Sequence, residues 1–290
     1  MDKKILIIII TYNIGDAISH CLDSLVKQTD QNYELLLIDN NSSNSTLDSI
    51  HNYLNHNRSL MRKTELIENK VNLGFSGAVN IGLNKALKQK EFYWVLLLNQ
   101  DIYFENNLLE KGIGLMQKNP TAGAVLPKIL YPDGRVWWVG TKILSDTELI
   151  FSSSYGITKH FNKGEKINFN NNEVRQMDAL TGCAVFLRLS AVKDVGLFDE
   201  RYFMYAEDID YSLRLKIKGY KVLLFTSSTV YHEIEDNQMN LKIVRLRLKK
   251  YKIYLTSVGL YLLKYKPWIF PIWLIKLPFV LIINYLKRKE

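Results

Sequence analysis

The strongest constraint in this chain is a rhythm. Apolar runs at residues 5–10 (ILIIII), 35–38 (LLLI) and 94–98 (WVLLL) each stop abruptly on polar residues. A run so uniformly apolar exposes neither face to water, so it belongs inside a sheet covered on both sides. Between the runs stand amphipathic stretches. In GDAISHCLDSLVKQ the apolar positions Ala17, Ile18, Cys21, Leu22, Leu25 and Val26 recur at helical spacing. STLDSIHNYLNHN and SGAVNIGLNKALKQ read as further helices, and KTELIEN as a short strand. Strands alternating with helices predict an α/β fold with a mainly parallel central sheet and helices on both faces. Ligands on such sheets bind outside the carboxyl ends of the strands. The polar tips therefore carry the functional interest: Thr11-Tyr12-Asn13, Asp39-Asn40-Asn41, Glu68-Asn69 and Asn99-Gln100-Asp101.

The second half is less regular. TAGAVLPKILYPDGRVWWVG reads as strand, Pro-Asp-Gly turn and strand, residues 143–172 as a long loop or flap, and AEDIDYSLRLKIKGY as a helix stopped by Gly219. With 290 residues, the chain divides into 1–240, itself split into 1–104 and 105–240, and a tail at 241–290. The two cysteines form no disulfide framework, which fits a reducing, cytosolic compartment. The first apolar run is too short for a signal peptide and no small-residue cleavage site follows it.

Three stretches carry chemistry. NLGFSGAVNIG (72–82) places glycines around a loop-to-helix transition, where free N–H groups attract an anion or a helix packs tightly on the sheet. In NQD (99–101), Asp101 is either a turn residue or a ligand for a hard divalent ion. In FDERYFMYAEDIDYSLR (198–214) an aromatic approach leads to Glu207-Asp208. Asp208 in the first helical turn is a candidate general base, its proton affinity raised by Glu207 and Asp210. The alternative is a solvated acidic helix start. His232 follows a strand and needs partners before it can act as a ligand.

In their order, IIITYN, LLIDNNSSN, NLGFSGAVNIGL, LLLNQDIYF, the long LTGCAV…KIKGY segment and YHE resemble the family 2 glycosyltransferases, above all the rhamnosyltransferase-like branch, over roughly residues 5–233. The resemblance implies a nucleotide-diphospho-sugar transferase fold of the GT-A type. It implies an inverting transfer from a TDP- or UDP-sugar to a glycan or lipid-linked glycan in surface polysaccharide synthesis. By the same resemblance Thr11, Tyr12, Asn13, Asp39, Asn41, Asn72, Gly74, Phe75, Asn80, Asn99 and Gln100 line the nucleotide-sugar site. Asp101 and His232 would hold Mg²⁺ or Mn²⁺, and Asp208 would be the catalytic base. Asn99 stands where the family's motif usually has an acid, which leaves one carboxylate there.

The tail from 242 to 290 carries a net charge of +11, so the rest of the chain carries −2 of the total +9. Residues 241–266 read as a basic amphipathic helix with Arg245, Lys249, Lys250 and Lys252 among apolar and Tyr positions. Residues 267–286 are apolar but for Lys276, with Pro267, Pro271 and Pro278, and Lys287-Arg288-Lys289 follow. The expectation is a basic, apolar helical segment lying in the membrane interface, anchored by Trp268 and Trp273, at the inner face of the cell membrane. A membrane-spanning helix over 267–286 and a packed C-terminal subdomain or dimer interface are the alternatives. Two other functions compete: a catalytically silent glycosyltransferase-like module, and a nucleic-acid- or membrane-binding protein. Interleaved aliphatic runs and the lack of an RNA-binding signature speak against nucleic acid.

Overall fold

The computed structural model describes residues 4–43, 45–151, 156–170, 172–233 and 241–286, the last with side chains over 250–280. Lys287-Arg288-Lys289 lie outside the described residues.

The first half follows the expected alternation: β1 (Lys4–Thr11), a 3-10 turn, α1 (Ile18–Val26), β2 (Tyr33–Asp39), α2 (Thr46–His56), α3 (Arg58–Met61), β3 (Thr64–Glu68), α4 (Gly74–Lys88) and β4 (Phe92–Leu98). β5 (Ile102–Phe104), α5 (Leu108–Lys118), β6 (Ala122–Leu130), β7 (Val136–Trp138), β8 (Thr141–Ile143), α6 (Asp146–Phe151), β9 (Thr158–His160), β10 (Val174–Met177) and β11 (Ala184–Arg188) come next. The chain then forms α7 (Leu189–Val195), α8 (Glu207–Ile217), β12 (Lys221–His232), α9 (Leu241–Tyr265) and α10 (Phe270–Leu286).

Ten strands form one sheet with the order β10-β12-β6-β11-β4-β1-β2-β3, β5 pairing with β12 and β7 with β6. The sheet is mixed, which corrects the mainly parallel expectation. β11 runs antiparallel between β4 and β6, and β10, β5 and β7 also pair antiparallel. The reason is local. Between β6 and β11 the chain makes a hairpin, a small separate β8–β9 sheet, the six-residue α6 and β10, and the described residues there include no full crossover helix to keep the next strand parallel. The apolar runs fill the main core: residues 5–9 and 35–38 are all essentially inaccessible.

The tail departs from expectation more sharply. Among the described residues no helix is long and apolar enough to cross a membrane. Part of the face expected to meet lipid is packed against protein instead. Val258, Tyr261, Leu262, Ile269 and Trp273 pack with Leu144, Leu149, Tyr202, Ala206 and Ile209 into a second core. Lys266 and Trp268 both bond to Asp146, the indole at 2.7 Å, and Lys276 donates to the Leu149 carbonyl at 2.7 Å. An apolar face is satisfied equally by lipid or by protein, and here the body of the same chain covers part of it, while Trp268, Ile272, Leu274, Ile275 and Phe279 stay exposed. Peripheral membrane attachment through this segment is therefore not supported.

Candidate active site

The carboxyl ends of four adjacent parallel strands form one rim, with Thr11 opposite Asp39 and Asp39 opposite Glu68 in register. Asp39 is 1% exposed, yet its carboxylate is well supplied with donors. Thr11 Oγ1 donates to Oδ1 at 3.0 Å, Ser42 Oγ to the same oxygen at 2.5 Å, and the Ser42 N–H to Oδ2 at 2.9 Å. Asn13 sits in the left-handed region at φ 53° and closes the turn: its N–H donates to Ser42 Oγ, and its side-chain oxygen accepts from the Ser43 N–H at 2.8 Å. The Gln100 amide reads the Tyr12 backbone in both directions, at 2.7 and 3.2 Å. These contacts bring Thr11, Tyr12, Asn13, Asp39 and Gln100 together. Asn41 lies on the same turn, exposed, at φ 68°.

Asn40 is the organiser that sequence reasoning passed over. Its buried amide donates to Asn72 Oδ1 and the Gly74 carbonyl, both at 3.0 Å, and accepts from the Leu73 N–H and from Asn69 Nδ2. The only sequence signal was its place in a polar strand tip; the partners lie some thirty residues away. Asn72 in turn accepts from the Gly74 N–H at 2.8 Å. Gly74 has φ +72°, and a Cβ there would meet the Phe203 carbonyl oxygen at 2.4 Å. The Phe75 N–H donates to that same oxygen at 2.7 Å. The glycine-rich turn thus clasps the 199–206 segment. Asn80 is buried on α4 and does not join the rim: its amide exchanges bonds with the Phe198 backbone, both at 2.9 Å, and donates to Glu200.

Asp101 and His232 meet at the next strand end. Ile102 pairs with His232 across β5 and β12, which leaves His232 Nε2 3.7 Å from Asp101 Oδ1. Trp137 stacks flat on the imidazole, with centroids 4.4 Å apart. Nδ1 of His232 is buried with no hydrogen-bond partner among the described residues. Burial raises the proton affinity of Asp101 and lowers that of His232, each opposed by the charge of the other. The Asn99 N–H donates to Cys183, which anchors the strand end. No group of three His, Cys, Asp or Glu side chains suited to a metal occurs among the described residues. A carboxylate oxygen and a ring nitrogen at this separation nevertheless fit two positions around one hard cation, the rest being open to phosphate and water oxygens.

Asp208 lies in the first turn of α8. Tyr205 and Ala206 lead into the helix with φ +71° and +63°, both left-handed and neither glycine. Asp208 is half-buried, and burial pushes its carboxyl up to about 6, against the pull of the Ile209 N–H, which it accepts at 2.8 Å. Glu207 is pushed up too, by burial first and by the Asp208 charge second, and its Oε2 is buried without a partner. The rise at Asp208 comes from burial rather than from acidic neighbours. The Asp210 carboxylate accepts from Arg214, Lys264 and the Tyr265 hydroxyl at 2.6–2.8 Å. The Ser212 hydroxyl accepts from the Leu180 N–H, so α8 is tied to the turn that precedes β11.

A family model for glycosyl transferase family 2 matches residues 6–196. The chain belongs to glycosyl transferase family 2. The N-acetylglucosaminyl-diphospho-decaprenol L-rhamnosyltransferase of Mycobacterium tuberculosis is 28% identical to it over 249 residues, 80% of this chain and 76% of that one. The poly(ribitol-phosphate) beta-glucosyltransferase of Bacillus spizizenii is 34% identical over 118 residues, but these are only 40% of this chain and 18% of that one. Among solved structures, GalNAc-T7 with UDP, GalNAc and Mn²⁺ superposes with a TM-score of 0.64 at 18% identity, covering 81% of this chain and 45% of that one. The mannosyltransferase PcManGT of Pyrobaculum calidifontis, with GDP-Man and Mn²⁺, gives 0.57 at 16% identity over 94% of this chain and 74% of that one. At such identities the likeness is one of fold. It supports a GT-A-like mixed sheet with flanking helices.

Proposed function

We propose that this glycosyltransferase moves a sugar from a nucleoside-diphosphate sugar to a hydroxyl of a glycan acceptor by a single displacement that inverts the anomeric centre, with Asp208 as general base. The observation that carries the proposal is Asp208 itself, an acid at a helix start whose carboxyl sits at about 6. Near neutral pH such a group is ionised yet basic enough to take a proton. Asp208 accepts the proton of the acceptor hydroxyl, that oxygen bonds to the anomeric carbon, and the bond from that carbon to the diphosphate oxygen breaks with its electrons.

In this reading residues 1–104 hold the nucleotide. Thr11, Tyr12, Asn13, Asp39, Asn41 and Gln100 shape its pocket, and Asn72, Gly74, Phe75, Asn80 and Asn99 support the sugar side. Residues 105–240 receive the acceptor. Asp101 and His232 are the residues that would hold Mg²⁺ or Mn²⁺, which would offset charge on the departing diphosphate. Rhamnose as the sugar, and a lipid-diphosphate-linked sugar as acceptor, draw support from the printed name of the mycobacterial relative.

The test is release of nucleoside diphosphate from a panel of UDP-, TDP- and GDP-sugars with Mn²⁺, with and without candidate acceptors. Turnover of one donor that disappears in Asp208→Asn supports the proposal. Full turnover in that variant would refute the assignment of the base.

A further inference from the structure

The passage that delivers Asp208 is costly to hold. Two consecutive non-glycine residues, Tyr205 and Ala206, occupy the left-handed region, and such conformations persist only where the surroundings over-determine them. One clasp comes from the glycine-rich turn, through the bond from the Phe75 N–H to the Phe203 carbonyl. Arg201 and Arg214 hold Asp199 and Asp210 from within the segment and from α8, and further ties come from the C-terminal helix α9. Tyr254, Ser257, Val258, Tyr261, Lys264 and Tyr265 recur at helical spacing and so share one face. Ser257 Oγ donates to the Met204 carbonyl at 2.8 Å, and the Tyr254 ring meets the Tyr205 ring edge-on at 5.7 Å. Val258, Tyr261 and Leu262 bury Ala206 and Tyr202. Lys264 Nζ reaches Asp210 Oδ1 at 2.6 Å and Asp199 Oδ2 at 2.9 Å. These two carboxylates stand on either side of the strained passage, one before it and one after. A single ammonium therefore ties both ends of it.

Resting on the assignment of Asp208 as base, we propose that this face of α9 is part of the catalytic frame, and that Lys264 is a positioning residue which fixes the 199–210 passage and so the place of the Asp208 carboxylate. Lys264 touches neither donor nor acceptor in this proposal. It acts through Asp199 and Asp210, with Ser257 as a second, weaker tie on Met204.

The test uses the full chain, Lys264→Met, Lys264→Arg and Ser257→Ala, followed by amide hydrogen exchange and by donor turnover. In Lys264→Met, exchange over residues 203–209 should quicken by about tenfold while that over β1 and β2 stays as in the parent. In the same variant kcat should fall about tenfold with donor KM and the affinities for UDP and dTDP within about twofold. Lys264→Arg, which keeps the charge and reach, should recover most of the loss. Ser257→Ala should quicken the same amides by about threefold, and it decides the matter if Lys264→Met does not fold. Unchanged exchange at 203–209, or equal quickening over β1 and β2, would overturn the proposal. The exchange result stands apart from the base assignment. If Asp208→Asn keeps its turnover, the base is wrong while exchange still judges Lys264; if Asp208→Asn is dead and Lys264→Met turns over normally, the positioning role is wrong.

Discussion

Asp39 and Asp208 are the same side chain in two opposite situations. Asp39 is buried at the end of β2, and Asp208 is half-buried in the first turn of α8. Asp39 accepts from two hydroxyls and an N–H, so both of its oxygens are taken up by neighbours. Asp208 is supported by its helix start, sits beside Glu207, whose Oε2 is buried with no partner among the described residues, and is pushed up to about 6 by burial. A satisfied buried carboxylate builds a surface, whereas an under-satisfied one keeps affinity for a proton. The rim of β1 and β2 is thus suited to recognition and the head of α8 to reaction.

The largest expected effect tests the reactive side. Asp208→Asn keeps the shape and removes the base, so kcat should fall by about 10³-fold with donor KM little changed. Steady-state kinetics on the donor found in the panel would show it. A loss confined to KM would place Asp208 with Asp39 in recognition and erase the contrast.

Chelation comes next. If Asp101 and His232 hold a divalent ion, EDTA or Asp101→Ala should cost about 10²-fold in turnover, restored by Mn²⁺ in the parent alone. Activity indifferent to chelation would remove metal from the account and leave the Trp137–His232 stack as a packing feature.

How much of this was legible in the chain depends on the range of the interactions. The buried strands and their polar tips could be read because each is a local pattern, and the ordered motifs pointed to the family that the matching model shows. The antiparallel entry of β11 could not be read, since it follows from the missing crossover between distant elements. The tail failed for a related reason. Its apolar face and its Lys266, Trp268 and Lys276 have the chemistry of a membrane anchor, but their partners are Asp146, the Leu149 carbonyl and the second core. Asn40 and the left-handed pair Tyr205–Ala206 were invisible because bond networks and backbone angles leave little mark on residue type.

The seam between the two regions gives the third prediction. Gly74 joins the recognition loop to the passage before Asp208, and a Cβ there would collide with the Phe203 carbonyl at 2.4 Å. Its φ of +72° adds strain for any other residue. Gly74→Ala should cost about 2 kcal/mol of stability in denaturant unfolding. A stable variant with the activity of the parent would show that the seam yields easily.

A pH profile separates the regions by a somewhat smaller effect. With the Asp208 carboxyl at about 6, protonation removes the base as pH falls. The rate should hold near neutral pH and drop about tenfold for each unit below that value. In Asp208→Asn the residual rate should lose this acid limb. A limb that survives the substitution would belong to another group.

The smallest effect concerns the settled acid, and it is the sharpest check on the contrast. In Asp39→Asn one carboxylate oxygen becomes an NH₂. The hydroxyls of Thr11 and Ser42 can rotate to offer lone pairs, but the Ser42 N–H cannot reverse. Placing the amide nitrogen at Oδ2 sets two donors against each other, and placing it at Oδ1 makes both hydroxyls turn. Either way the 39–42 turn loosens by about 1 kcal/mol. Donor KM should rise about fivefold while kcat and the acid limb stay as they were. This is the reverse of the signature at Asp208, where kcat falls and KM holds. If both substitutions lower kcat alike, hydrogen-bond satisfaction does not sort recognition from reaction in this site.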